Sequence, residues 1–200
     1  MAIATRTTKD QILDVASRLI SVKGYHSTSL DDVLRESGVG KGNFYHYFKS
    51  KEELGYAILD GIVEGFFTRI LEPSFRDPSE SPLEQINRFL DGLLEAQRQR
   101  NCVGGCPIGN LASELSDVHE GFRQRLSQIF TLWKEKLTEA LEQAQVRGEL
   151  SPRAEPSRVA QFVVAALEGA ILMTKVTKDI RVMEQCVAEL KAHLDIYSTS

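Results

Sequence analysis

Two stretches of the chain hold residues that could do chemistry. The first runs from Lys41 to Lys49 and reads K-G-N-F-Y-H-Y-F-K. Phe44 and Phe48 stand four apart and so share one side of a helix. Lys41, Gly42, Asn43, Tyr45, His46 and Tyr47 are left for the other side. A small domain has no reason of its own to expose so many aromatic and basic groups. DNA supplies a reason, because a helix in the major groove sets its first residues near base edges while hydroxyls and cations hold phosphates. The second stretch is N-C-V-G-G-C-P-I-G-N, residues 101–110. Proline suits the first position of a helix, so Pro107 makes Cys106 the N-cap. A thiol there faces unpaired N–H groups and the positive end of the helix dipole, which favours thiolate and reaction with electrophiles or oxidants. The same residue also reads as a small apolar side chain under a Gly-rich turn, since free cysteine is often buried. Among the three cysteines, Cys106 is expected to react fastest. Cys102 closes the preceding helix, where the dipole disfavours a thiolate, and Cys186 lies mid-helix among Val182, Val187 and Leu190.

Other chemistry finds little footing. Cys102 and Cys106 have a tolerable metal spacing, but a closed zinc site takes four ligands, and only Cys186 and four scattered histidines remain. G-x-S-x-G, the P-loop, H-E-x-x-H and C-x-x-C are absent, and the glycines at 38, 40 and 42 follow no strand, so no enzyme activity, metal or cofactor is expected. An odd number of cysteines argues against a disulfide framework. No signal-peptide core opens the chain and no run of about 18 apolar residues is seen, so the expectation is a cytoplasmic protein with no membrane partner. The net charge of −4 divides unevenly. Residues 1–49 hold seven Lys/Arg against five Asp/Glu, and residues 50–200 hold seventeen against twenty-three. A modest, local basic excess predicts weak non-specific DNA affinity, with specificity resting on geometry and dimerisation.

Helices must position both stretches. Residues 8–23 show an amphipathic stripe of Ile12, Val15, Ala16, Leu19 and Ile20, with Thr8 and Gln11 fitting a capping box and Gly24 a stop. A second helix follows a Thr28 or Ser29 cap and carries Leu30, Val33 and Leu34 inward, ending at Ser37-Gly38. The third begins near Gly40 or Lys41. Thr5 and Arg6, ahead of the first helix, can reach a phosphate or the minor groove, or belong to a disordered tail. Ser50 and Glu53 begin a longer helix with Leu54, Ala57, Ile58, Ile62, Phe66 and Ile70, which the pattern ends at Pro73. Residues 73–82, with three prolines, form the clearest loop. Further helices are expected over 83–100, 107–116, 117–147, 156–176 and 179–197. The fold reading is all-α: a three-helix N-terminal domain over 1–50 and a larger helical domain over 51–200.

The run V-G-K-G-N-F-Y-H-Y-F-K-S-K-E-E-L, with G-Y-H-S-T-S-L-D-D-V upstream, closely resembles the helix-turn-helix signature of the TetR family of bacterial transcriptional regulators. The close match covers about the first quarter; the remainder is similar in helix pattern. One departure is Gly40, where the family usually has Ser or Thr, so a cap hydroxyl that often touches phosphate is missing. The resemblance implies a DNA-binding regulator, most simply a repressor released by a small-molecule inducer or by modification of Cys106, against the alternative of a helical enzyme or scaffold with an incidental helical hairpin. It implies double-stranded operator DNA as partner, with Thr28, Ser29, Lys41, Gly42, Asn43, Tyr45, His46, Tyr47, Lys49 and Lys51 as candidate contacts. It also implies a homodimer, since the last two helices of the family form a four-helix bundle across a two-fold axis. Here Phe162, Ala166, Gly169, Leu172, Leu190 and Leu194 are the candidate interface. Ligand walls are expected at Phe66, Leu93, Leu111, Phe130, Trp133 and Phe162. Members that sense electrophiles or oxidants resemble this chain at Cys106 and carry a lysine matching Lys175.

Overall fold

The structure, a computed structural model, describes residues 7–199. Helix α1 (Thr8–Lys23) is capped by Thr7, not Thr8. Thr7 Oγ1 accepts from Asp10 N and the Asp10 carboxylate accepts from Thr7 N, so the box closes one residue earlier than the sequence pattern suggested. Gln11 is thereby free to donate from Nε2 to the Ser37 carbonyl at 2.6 Å, tying α1 to the end of α2. Helix α2 (Leu30–Ser37) is capped by Ser29 and stops at Gly38, whose φ of 66° lies in the left-handed region that favours glycine. Helix α3 (Lys41–Tyr47) starts at Gly40, which offers no side-chain cap. Ile12, Ala16, Val33, Phe44, Phe48, Leu54 and Ile58 close one core around these helices and the first turns of α4. Thr5 and Arg6 lie outside the described residues.

Helix α4 (Lys51–Phe66) does not end where proline was expected to end it. It widens to π pitch over Phe67–Leu71 and runs on as the short α5 (Glu72–Ser74). A proline ring clashes with the carbonyl four residues back in a regular α-helix, and the widened turn just ahead of Pro73 removes that regularity. The body then comprises α6 (Pro82–Gln99), α7 (Pro107–Leu115), α8 (Glu120–Val146), α9 (Pro156–Thr177) and α10 (Ile180–Asp195). Helix α8 begins at Glu120 rather than Asp117, because His119 supplies the cap through Nδ1 to Phe122 N. Among the described residues there is no strand, only a single bridge between Leu150 and Ser198.

Two further cores fill the body. The larger packs Phe89, Leu90, Trp133, Leu137, Leu167 and Met183 between α6, α8, α9 and α10. The other, with Tyr25, Leu59, Leu111, Leu115, Phe122 and Leu126, joins the turn after α1 to α4, α7 and α8. Helix α9 is long and apolar enough by composition to pass for a membrane span, with 22 residues and a mean hydropathy of 1.6 over its most apolar 18. Forty-four per cent of its apolar window is buried inside the chain, and Val163, Leu167 and Ile171 face the large core.

Candidate DNA-binding face and regulatory site

The α3 helix is held by two rings. Phe44 and Phe48 are buried at 0% and 2% exposure and touch each other at 5.7 Å between centroids. The opposite face carries Lys41, Gly42, Asn43, Tyr45, His46 and Tyr47, all exposed. The side chains of Lys41, Asn43 and Tyr45 have no hydrogen bond or ion pair among the described residues, which leaves their donors and acceptors for something else. Lys49 is also exposed, with its backbone N–H donated to Glu53 Oε2. Ser29 stays at the surface as the α2 cap, and the Ser29 and Arg35 hydrogen bonds hold the Asp32 carboxyl down to about 2. Two candidates turn inward instead. Thr28 is 1% exposed and gives its hydroxyl to the Gly24 carbonyl at 2.8 Å. Lys51 folds back so that Nζ lies 4.4 Å above the Tyr25 ring and reaches the His26 carbonyl. Burial lowers its pKa. The correction has one physical cause: both residues flank the turn where the N-terminal helices meet the body.

A cavity of about 640 Å³ opens between α4, α6, α7 and α8, and Phe66, Leu93, Cys106 and Trp133 border it. Trp133 is 2% exposed, meets Phe66 edge-on and lies near-parallel to Phe130, and its indole Nε1 has no hydrogen-bond partner among the described residues. A buried donor left unpaired costs about 1–3 kcal/mol. Phe130 and Lys175 belong to a neighbouring cavity of about 310 Å³ with Cys106 and Glu168. Leu111 packs in the junction core. Phe162 borders neither of these two cavities but a separate hollow of about 370 Å³ between α9 and α10. It is 49% exposed on the outer side of α9, against His193.

Cys106 caps α7 as expected, its Sγ accepting from Gly109 N at 3.3 Å. Its surroundings oppose the thiolate that the cap position favours. Burial and the neighbouring Glu168 push the thiol from 9.0 up to about 12, outweighing the backbone N–H groups that pull it down. Glu168 is itself raised by burial. Its Oε2 fills the space a side chain at Gly109 would need. Lys175 borders the same cavity, but Nζ is committed to Asn110 Oδ1 at 3.0 Å. Cys102 is buried in a left-handed turn beyond the end of α6, and Cys186 is partly buried.

Sequence reasoning missed two residues. Glu168 is the one carboxylate in α9, and Glu114 is the one charged residue in α7. Glu114 accepts from the backbone N–H groups of Tyr25 and His26 at 2.8 and 2.6 Å, so α7 grips the turn after α1. The available signals were a lone charge in an apolar helix for Glu114 and a single carboxylate amid an apolar run for Glu168. The dimer candidates also divide. Leu190 and Leu194 are 3% exposed and belong to the chain's own core, with Leu190 at the floor of a hollow beside Phe162. Ala166 is half-buried, whereas Phe162, Gly169 and Leu172 face outward.

Residues 12–58 match the profile of bacterial regulatory proteins, tetR family, and residues 82–190 match the tetracyclin repressor-like C-terminal domain. An uncharacterized HTH-type transcriptional regulator in the lacX 3' region of Lactococcus lactis is 36% identical over 190 residues, covering 95% of this chain and 94% of that protein. The solved structure of a TetR transcriptional regulator from Chloroflexus aurantiacus superimposes with a TM-score of 0.87 at 27% identity over 96% of each chain. That of the reduced form of Escherichia coli NemR gives 0.82 at 27% identity, covering 92% of this chain and 95% of the other.

Proposed function

Because this chain belongs to the TetR family of bacterial regulatory proteins, we propose that it holds an operator as a homodimer and releases it when its helical body changes shape. It is a DNA-binding transcriptional regulator and not an enzyme. The observation that carries the operator reading is the α3 face: Lys41, Asn43, Tyr45, His46 and Tyr47 stand in solvent on a helix anchored from behind by Phe44 and Phe48. Residues 1–50 serve as the DNA-binding domain, with Ser29, Gly42 and Lys49 as further contacts, and residues 51–200 as the ligand-binding and dimerisation domain. Acting on an operator places the protein in the cytoplasm.

The outer strip of α9, with Phe162, Gly169, Leu172 and the neighbouring Met173 and Val176, is the face we assign to the partner subunit. Three of these side chains are more than half exposed, at 58%, 55% and 74% for Leu172, Met173 and Val176. A contiguous apolar patch of this kind marks an interaction site. Pairing through α9 supplies the two heads that two half-sites one helical turn apart require.

The inducer occupies the 640 Å³ cavity. It is a largely apolar molecule, and the unpaired Trp133 N–H rewards one with a hydrogen-bond acceptor. Cys106 borders this space, so covalent modification is a second route to release. Addition of the Cys106 thiolate to an electron-poor C=C would form the C–S bond as the C=C π bond breaks, with the thiol proton given up to solvent and the resulting carbanion taking one back from it. Because a switch needs differential affinity for two states, α4 carries the change: its first turns belong to the head core, and Phe66 lies at the cavity. The test is a gel-shift and footprint against DNA upstream of the chain's own reading frame. A two-fold symmetric footprint is the expected result. A shift no stronger than on random DNA at about 0.15 M salt would end the operator reading.

A further inference from the structure

A second hollow of about 890 Å³ lies between α1 and α7 and opens to solvent. It reaches Val22 and Lys23 of α1, which the interior cavity does not. Its charges are lopsided. Lys23, Arg100 and Lys175 border it against the single carboxylate of Glu114. None of the three cations is paired with a carboxylate among the described residues: Arg100 donates to the Gly105 carbonyl and Lys175 to the Asn110 amide oxygen. Glu114 is already engaged by the Tyr25 and His26 N–H groups. The apolar part of the lining is also open to water, with Val22 78% and Val103 57% exposed, over Ile20 and Leu111 beneath.

An uncompensated cationic rim over an exposed apolar floor fits a molecule with an anionic head and a hydrocarbon chain. We propose that this cleft binds an amphipathic carboxylate, its chain against Val22, Val103 and Ile20 and its head group at Lys23 and Arg100. The site adjoins the inducer cavity described above and shares Ile62, Arg100 and Pro107 with it, while its Val22 and Lys23 end lies outside that cavity. Its position has a consequence for the head. Glu114 borders the same cleft, so a bound carboxylate sets a second negative charge near the one that holds the Tyr25–His26 turn. Like charges at short range disfavour each other. Occupancy therefore loosens the contact between α7 and the DNA-binding head.

Calorimetric titration of the full chain with decanoate, without DNA, tests the site. Decanoate is expected to bind the wild-type chain, 1-decanol about tenfold more weakly, and Lys23→Glu to lose about tenfold for decanoate. Lys23 and Val22 are exposed, so Lys23→Glu and Val22→Asp should keep the wild-type far-UV CD, and Val22→Asp should weaken decanoate as well. Absence of decanoate binding overturns the proposal. So does a decanol affinity equal to that of decanoate, or unchanged affinity in both variants, which would put the ligand in the interior cavity. Since no operator enters the titration, its failure leaves the repressor reading where it stands, and failure of the footprint leaves the cleft where it stands.

Discussion

On α3, Lys41, Asn43 and Tyr45 stand in solvent with no hydrogen bond or ion pair from their side chains among the described residues. At the start of α7, Cys106 is covered by a carboxylate that arrives from α9, some sixty residues further along the chain. Both sites sit on short helices, and both are identified by residue type and spacing. They differ in what finishes them. The α3 face is completed by its own helix, because burying Phe44 and Phe48 fixes which residues point out. The α7 thiol is completed by another helix, and that helix reverses its chemistry. A helix N-terminus favours a thiolate through a dipole effect of about 0.3–1 kcal/mol. One pKa unit is worth about 1.4 kcal/mol, so burial beside a carboxylate overrides the dipole.

The widest separation between the two sides of α3 should come from adjacent residues. Phe44→Ala should destabilise the head by about 3–5 kcal/mol, since it empties a fully buried ring site. Tyr45→Ala and Lys41→Ala should move stability by less than about 0.5 kcal/mol while operator binding is lost. Urea melts paired with gel-shifts check this, and a Tyr45→Ala chain that unfolds early would break the contrast. In Lys41→Ala, the slope of log K against log salt should also fall by about 1 per subunit.

The same inside-against-outside contrast applies to the last two helices. Leu190→Ala should cost about 2–5 kcal/mol because the residue lies in the core. Phe162→Asp should leave the subunit folded and give monomers in sedimentation, with weak operator binding from a single head. A Phe162→Asp chain that stayed dimeric would move the interface off α9.

At the thiol, Glu168→Gln removes the negative charge beside Cys106 and should lower its pKa. Alkylation by iodoacetamide near pH 8 should then rise about tenfold, one pKa unit's worth of thiolate. In the wild-type chain the thiolate is the reactive form and its pKa is pushed up to about 12, so the rate should keep rising with pH towards that value. A plateau below about pH 9 would restore the dipole-activated thiol. Mass spectrometry of the Cys106 peptide reads both arms.

The smallest effect joins the two regions. Glu114→Gln keeps an acceptor for the Tyr25 and His26 N–H groups but removes its charge. It should cost about 1 kcal/mol or less, the margin between charge-assisted and neutral hydrogen bonds. Hydrogen exchange at those two amides should speed up more than at Phe44. Equal protection in both chains would remove α7 as a hold on the head.

By itself the sequence determined every helix of the head, its glycine stop, and the outward set on α3. Those features depend on periodicity, caps and φ preference within a few residues. The all-α class and the order of body helices were legible for the same reason. Local pattern failed where two elements meet. Thr28 and Lys51 look like surface residues until the body packs on the Tyr25 turn. Leu190 and Leu194 look like an interface stripe until α6 and α9 cover them. The proline at 73 ends a helix only if the preceding turn is α-helical. Cys106 gains its carboxylate, and Glu114 its two backbone donors, from segments far along the chain. Local conformation is set by short-range sterics and hydrogen bonding, which the order of residues states outright. The charge and reactivity of a group are set by its desolvation and its nearest charges, and only tertiary packing brings those together.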